Sequence, residues 1–98
     1  MIRTRYLLCY DVRDDRRLRR TAKVAEAWGY RLQYSVFVCD VDDVERARLE
    51  RSLRDVLDVT VDRAVLVDLG PPGRSSARRL HWVSSPVLLY DPGQAMIV

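Results

Sequence analysis

Tyr6-Leu7-Leu8-Cys9-Tyr10-Asp11-Val12-Arg13-Asp14-Asp15-Arg16-Arg17-Leu18-Arg19-Arg20 is the stretch that decides the fold. Its first five residues form an unbroken apolar run with an aromatic ring at each end, closed by Asp11. A run of that length and composition predicts a buried central strand. Val12 to Asp15 then read as a polar loop, and Asp14 or Asp15 can cap a following helix by accepting orphan backbone N–H groups. The spacing predicts a helix over 16–28. Leu18, Ala22, Ala25 and Trp28 give it one apolar face, and Arg16, Arg17, Arg19, Arg20 and Lys23 occupy the rest. Gly29 stands where a left-handed C-cap glycine is expected.

Downstream, residues 31–41 are a second β region. Periodicity leaves open one long strand or a tight hairpin bent near Ser35, and the topology developed below favours the bend. Asp42 and Asp43 start a second helix that ends near Leu57, with Leu49, Leu53, Val56 and Leu57 as its buried stripe. Residues 60–68 read as a strand with a strongly apolar end. Gly70-Pro71-Pro72-Gly73-Arg74-Ser75-Ser76 is a break. Short β-like pieces follow at 80–83 and 86–90, then a turn at Asp91-Pro92-Gly93 and a last apolar piece. The order β-α-β-β-α-β is that of an α+β, ferredoxin-like plait with a C-terminal strand extension. We therefore expect a ferredoxin-like domain over 1–69, and over 70–98 a loop and a strand extension. That extension either adds a fifth strand to its own sheet or is exchanged onto the sheet edge of a second subunit.

At 98 residues the chain has the size of one domain, too small for a deep internal catalytic pocket. A surface site, or one between subunits, is the expectation. Apolar residues make up 48% and charged residues 32%, a globular balance. No apolar run approaches the roughly 20 residues of a membrane span. No signal peptide is visible at the start, so a cytoplasmic protein without membrane association is expected. Cys9 and Cys39 lie in apolar segments without C-x-x-C spacing, and read as reduced, buried thiols. Net charge is +3 but unevenly placed. Residues 1–31 hold nine basic and four acidic groups, and 32–61 hold four and seven, which reads as a basic first third followed by an acidic helix. All cations but Lys23 are Arg, whose planar fork suits phosphate oxygens.

Two constellations could carry chemistry. Asp11 stands at the C-terminal end of the first strand, with Asp14 and Asp15 close behind. Such carboxylates are hard oxygen ligands of the kind Mg²⁺ or Mn²⁺ prefers, and they are equally ordinary turn and helix caps. A lone carboxylate holds Mg²⁺ weakly, but a two-fold axis beside Asp11 would supply a second copy. The metal could then polarise a phosphodiester or activate a water. The second constellation is the Arg-rich helix face, either a solvated surface or a phosphate-binding stripe that Arg31, Arg78 and Arg79 extend. Tyr10, Tyr34, Phe37, Trp28 and Trp82 read mostly as core or interface aromatics, and the single His81 has no matched nucleophile.

The stretch from Tyr6 to Arg20 resembles the opening of the CRISPR-associated protein two family: an apolar strand, Tyr-Asp-Ile/Val, and a basic helix. Arg31-Leu32-Gln33-Tyr34-Ser35-Val36-Phe37-Val38 is similar to that family's Gln-Tyr-Ser-Val-Phe segment, and Gly29 lies between the two at the usual place. The resemblance covers about residues 4–68. It implies a ferredoxin-like homodimer that partners the CRISPR integrase on duplex DNA during spacer acquisition. Some members are also metal-dependent endonucleases on RNA or DNA. Asp11 matches the family's metal-binding aspartate, for Mg²⁺ or Mn²⁺. Tyr10, Arg20, Arg31 and Phe37 match positions linked to activity, and Gln33 and Ser35 match as structural residues. Thr21 departs from the pattern by replacing an apolar residue, and no family signature is matched beyond Gly70. Two other functions compete: a stand-alone toxin-type, metal-dependent endoribonuclease acting on single-stranded RNA, and a non-catalytic plait serving as a regulatory dimer.

Overall fold

A computed structural model describes residues 2–87, 89–91 and 94–97. Four antiparallel strands form one sheet: β1 (Thr4–Asp11), β2 (Tyr30–Gln33), β3 (Val36–Val41) and β4 (Arg63–Asp68), in the spatial order β2-β3-β1-β4. Helix α1 (Asp15–Trp28) joins β1 to β2, and α2 (Asp43–Val56) joins β3 to β4. This is the ferredoxin-like plait expected from the sequence.

Strand alternation divides β1 between two environments. Leu8 and Tyr10 face the helices and are buried with Phe37, Cys39 and Val41 of β3, Ala25 of α1, and Leu49 and Leu53 of α2. Leu7, Cys9 and Asp11 face the other way. Both cysteines are free thiols, with Cys39 buried and Cys9 half-buried. Burial pushes the Cys39 thiol up to about 12, so it behaves as a small hydrophobe.

Both long helices start on sequence-encoded caps. Asp14 accepts the Arg17 amide at 2.9 Å. Asp42 and Glu45 form a reciprocal capping box at 2.8 and 3.1 Å. The hydroxyl of Thr21 is buried and donates to the Arg17 carbonyl at 2.8 Å, so the family departure at this position carries a satisfied donor. The hairpin bends at Tyr34-Ser35, as the topology required, with Gln33 opposite Val36. The Ser35 carbonyl accepts the Tyr10 amide at 3.1 Å and ties this turn to β1.

Several expectations are corrected. Gly29 is extended (φ −166°), not left-handed. It is needed because a Cβ there would lie 2.0 Å from the Val38 carbonyl oxygen. The fourth strand starts at Arg63 rather than at 60, because the Asp58 carboxylate turns the chain by accepting the Thr60 amide (3.0 Å) and hydroxyl (2.6 Å). Helix α2 is not acidic. It carries four acids and four arginines, and the excess acids of that segment are Asp40, Asp42 and Asp58, which serve pairing and capping. The break after Gly70 contains a short helix, α3 (Arg74–Ala77). Residues 80–83 are not a strand. Leu80, Trp82 and Val83 line a cavity of about 510 Å³ with Leu7, Cys9, Leu32 and Val36, so this segment lies over the sheet face instead of joining its ladder. Strands β5 (Leu89–Asp91) and β6 (Gln94–Ile97) pair with each other as a separate two-stranded sheet, and neither is a fifth strand of the main one. Leu88, Pro92 and Gly93 of the expected tail strand and turn lie outside the described residues.

Candidate functional site

The residues singled out from the sequence fall into three places around one end of the sheet. Asp11 ends β1 with its side chain 66% exposed, and the Arg13 guanidinium stands 4.0 Å from its carboxylate. Directly across the ladder is Arg63 of β4. Residues directly opposite in an antiparallel pair project on the same face, so Asp11 and Arg63 share the face turned away from the helices. Together with Cys9, Tyr10, Ala64 and Val65 they line a shallow concavity of about 370 Å³. Farther along the same face of β4, Val65 and Val67 stay 55% and 41% exposed.

The second place is on the helix side of the sheet. Tyr10 is buried and stacks on Phe37, with centroids 6.2 Å apart and planes inclined at 23°. Arg31 lies opposite Phe37 in the β2–β3 register, and its guanidinium sits 5.1 Å from the Phe37 ring and 5.6 Å from the Tyr34 ring. Burial raises the Tyr10 phenol, and the charge and hydrogen bonding of Arg31 partly offset that rise. Tyr34, read as a core or interface ring, is 71% exposed at the hairpin tip. Its outward position leaves Arg31 stacked beneath it. Tyr10, Tyr34, Arg31, Arg19 and Asp15 line a concavity of about 330 Å³.

The third place is the outer surface of α1. Arg16, Arg19, Arg20 and Lys23 are exposed, and none forms an ion pair with a described residue. Arg17 is turned aside. Its guanidinium grips the nearly buried Asp62 carboxylate through two contacts, at 2.8 and 3.2 Å. The Arg17 hydrogen bond holds the Asp62 carboxyl below its ordinary range, and the Asp58 amide adds to that. This clamp fixes the chain immediately before Arg63.

Of the five positions linked to activity, the structure thus gathers Tyr10, Arg31 and Phe37. Asp11 projects from the opposite face of the sheet, and Arg20 from the outer surface of α1. Among the described residues no three His, Cys, Asp or Glu side chains stand close enough to hold a metal ion. Asp11 of one chain offers a single carboxylate, which holds Mg²⁺ weakly because the ion keeps its waters and takes further anionic ligands. Sequence reading missed Arg63, because only the ladder register brings it beside Asp11. It also missed Arg19 as a wall of the Tyr10 concavity.

The fold and this arrangement define a ferredoxin-like plait with an acid at the end of strand one and a basic first helix. The chain belongs to the family described as CRISPR associated protein Cas2, which it matches over residues 4–76. It is 34% identical to the CRISPR-associated endoribonuclease Cas2 of Geobacter sulfurreducens, over 95% of this chain and 96% of that protein. It is 36% identical to the CRISPR-associated endoribonuclease Cas2 of Nitratidesulfovibrio vulgaris, over 94% and 91%. Among solved structures, Streptococcus pyogenes Cas2 superposes with a TM-score of 0.69 at 28% identity, covering 82% of this chain and 99% of that one. A hypothetical protein of Thermus thermophilus gives 0.65 at 30% identity, covering 74% and 84%. No helix among the described residues is long and apolar enough to cross a membrane.

Proposed function

We propose that the chain works as a cytoplasmic homodimer in CRISPR spacer acquisition, carrying duplex DNA with the integrase subunit. We also propose that it has a metal-dependent endonuclease site built from Asp11 of two subunits. The observation that carries the reading is the placement of Asp11. It stands exposed at the end of a sheet face whose β4 half leaves Val65 and Val67 uncovered. A second copy packed on that face about a two-fold axis covers the valines and supplies a second Asp11. Two carboxylates then offer oxygen ligands to Mg²⁺ or Mn²⁺, whose chemistry would be to polarise the scissile phosphodiester. The duplex role rests on Arg16, Arg19, Arg20 and Lys23, four exposed cations on one helical surface, which dimerisation doubles.

The names of the relatives, CRISPR-associated endoribonuclease, favour a second reading in which RNA is the substrate. One experiment tests both. Labelled duplex DNA and single-stranded RNA are incubated with the protein in Mg²⁺ or EDTA, beside Asp11→Ala, and binding is followed in parallel. Metal-dependent cleavage that disappears in Asp11→Ala supports the two-subunit site, and the substrate cut separates the two readings. Duplex binding without cleavage leaves a DNA-carrying scaffold and removes Asp11 from the chemistry.

A further inference from the structure

We propose that Arg63 is a phosphodiester-binding residue that holds the nucleic-acid strand beside Asp11. The inference rests on the nucleic-acid reading above and adds to it a residue that neither the sequence motifs nor the family positions contain. Its starting point is the ladder: Asp11 and Arg63 are direct cross-strand partners, so both side chains leave the same corner of the sheet. They also line the same shallow concavity.

Charge then decides what the corner attracts. A phosphodiester is an anion, and a carboxylate alone repels it. Asp11 has Arg13 at 4.0 Å and Arg63 across the strand, two cations to one anion. Arg63 is exposed and lies beyond 4.0 Å of any described carboxylate, so its donors are not spent on Asp11. A guanidinium fork free at a concave corner suits the two non-bridging oxygens of a diester.

The backbone supporting Arg63 is fixed as well. Asp62, the preceding residue, is gripped by Arg17 at 2.8 Å and by the Asp58 amide at 2.8 Å. Arg63 itself opens β4, paired with the central strand. The main chain under this cation therefore stays in place when a ligand arrives, which a group in a binding site requires.

The test measures binding in EDTA, where no metal-dependent cleavage intervenes, on a short single-stranded RNA and a short DNA duplex. The slope of log K against log salt is compared for wild type, Arg63→Ala, Arg63→Lys and Arg48→Ala. Arg48 is an exposed cation on α2, so Arg48→Ala controls for net charge. Arg63→Ala is expected to lower the slope by about 0.7 per engaged residue on the RNA, or about 0.9 on the duplex. The probe on which it falls identifies the strand held. Arg63→Lys should keep the slope, and Arg48→Ala should leave it unchanged. Asp11→Asn should tighten binding in the wild-type background and have little effect beside Arg63→Ala, because the phosphate it repels is no longer held there. Unchanged slopes on both probes, an equal fall with Arg48→Ala, additive effects of Asp11→Asn and Arg63→Ala, or no binding by wild type would each overturn the proposal. Failure of the nuclease reading shows separately, as wild type that binds in EDTA but cleaves nothing in Mg²⁺.

Discussion

Replacing Gly29 by Ala should destabilise the protein far more than the loss of one glycine in a turn would suggest. The backbone at Gly29 is extended, so alanine has no conformational objection to it. The objection is space. A Cβ at this position would lie 2.0 Å from the Val38 carbonyl oxygen, 2.8 Å from its carbonyl carbon and 2.9 Å from the Cys39 sulfur. Ordinary contact begins near 3.4 Å, so more than an ångström of separation must be found. The obstacle is main chain in β3, where Val38 pairs with Leu7 on one side and Tyr30 on the other. Overpacking usually costs about 1–3 kcal/mol, and an obstacle of this kind belongs at the top of that range, near 3 kcal/mol. For a domain of this size such a loss lowers Tm by roughly 12–24 °C. Thermal unfolding followed by far-UV circular dichroism measures it. Gly70→Ala is the comparison. Gly70 has φ +82° but nothing within 4 Å of the added carbon, so its cost is conformational only, about 1–2 kcal/mol. A Gly29→Ala protein melting within a few degrees of wild type, or above Gly70→Ala, would refute the close approach of α1 and β3.

Asp40 holds the fully buried Arg5 through two contacts at 2.8 and 2.9 Å, so Asp40→Ala should cost about 3 kcal/mol by chemical denaturation. An Arg5→Met, Asp40→Leu double variant should recover most of that loss. Hydrogen bonds from Arg17 to Asp62, from the Thr60 hydroxyl to Asp58 and from the Glu45 amide to Asp42 hold these carboxyls below their ordinary range. The unfolded chain therefore binds more protons in acid. The stability these groups contribute should be complete above about pH 4 and fall as pH drops through the folded values. Asp62→Asn should flatten the acid limb of a denaturation series, and an unaltered limb would count against the clamp. On a duplex, Arg16→Ala and Arg20→Ala should each lower the log K against log salt slope by about 0.9. Arg17→Ala should lower Tm and leave the slope alone, because its guanidinium is occupied by Asp62.

The parts of the fold that were legible from sequence are those written in short-range chemistry. The apolar run from Tyr6 to Tyr10, the Asp14 and Asp42 caps, and the bend at Ser35 each rest on residues a few positions apart. What was not legible depends on partners far along the chain. Arg17 looks like a member of the basic stripe until Asp62, 45 positions later, arrives beside it. Gly29 caps α1 as expected, but it looks like a left-handed cap until β3 passes against it. Residues 80–83 have strand-like composition but line a concavity over the sheet face, and composition does not separate that from pairing. The same holds at the candidate site. Tyr10, Arg31 and Phe37 announced themselves through motifs, but strand alternation, invisible in a motif, places Asp11 on the other face. Arg63 comes beside Asp11 through register alone.

The central claim is that two copies of Asp11 make one site. It is tested most directly by co-refolding wild type with Asp11→Asn in equal amounts and measuring Mg²⁺-dependent cleavage at a fixed total protein concentration. If both carboxylates are required, only dimers of two wild-type chains act, and the mixture retains roughly a quarter of the activity of an all-wild-type sample. Retention of roughly half would mean that each chain works alone, and cleavage indifferent to Asp11→Asn would remove the residue from the chemistry altogether.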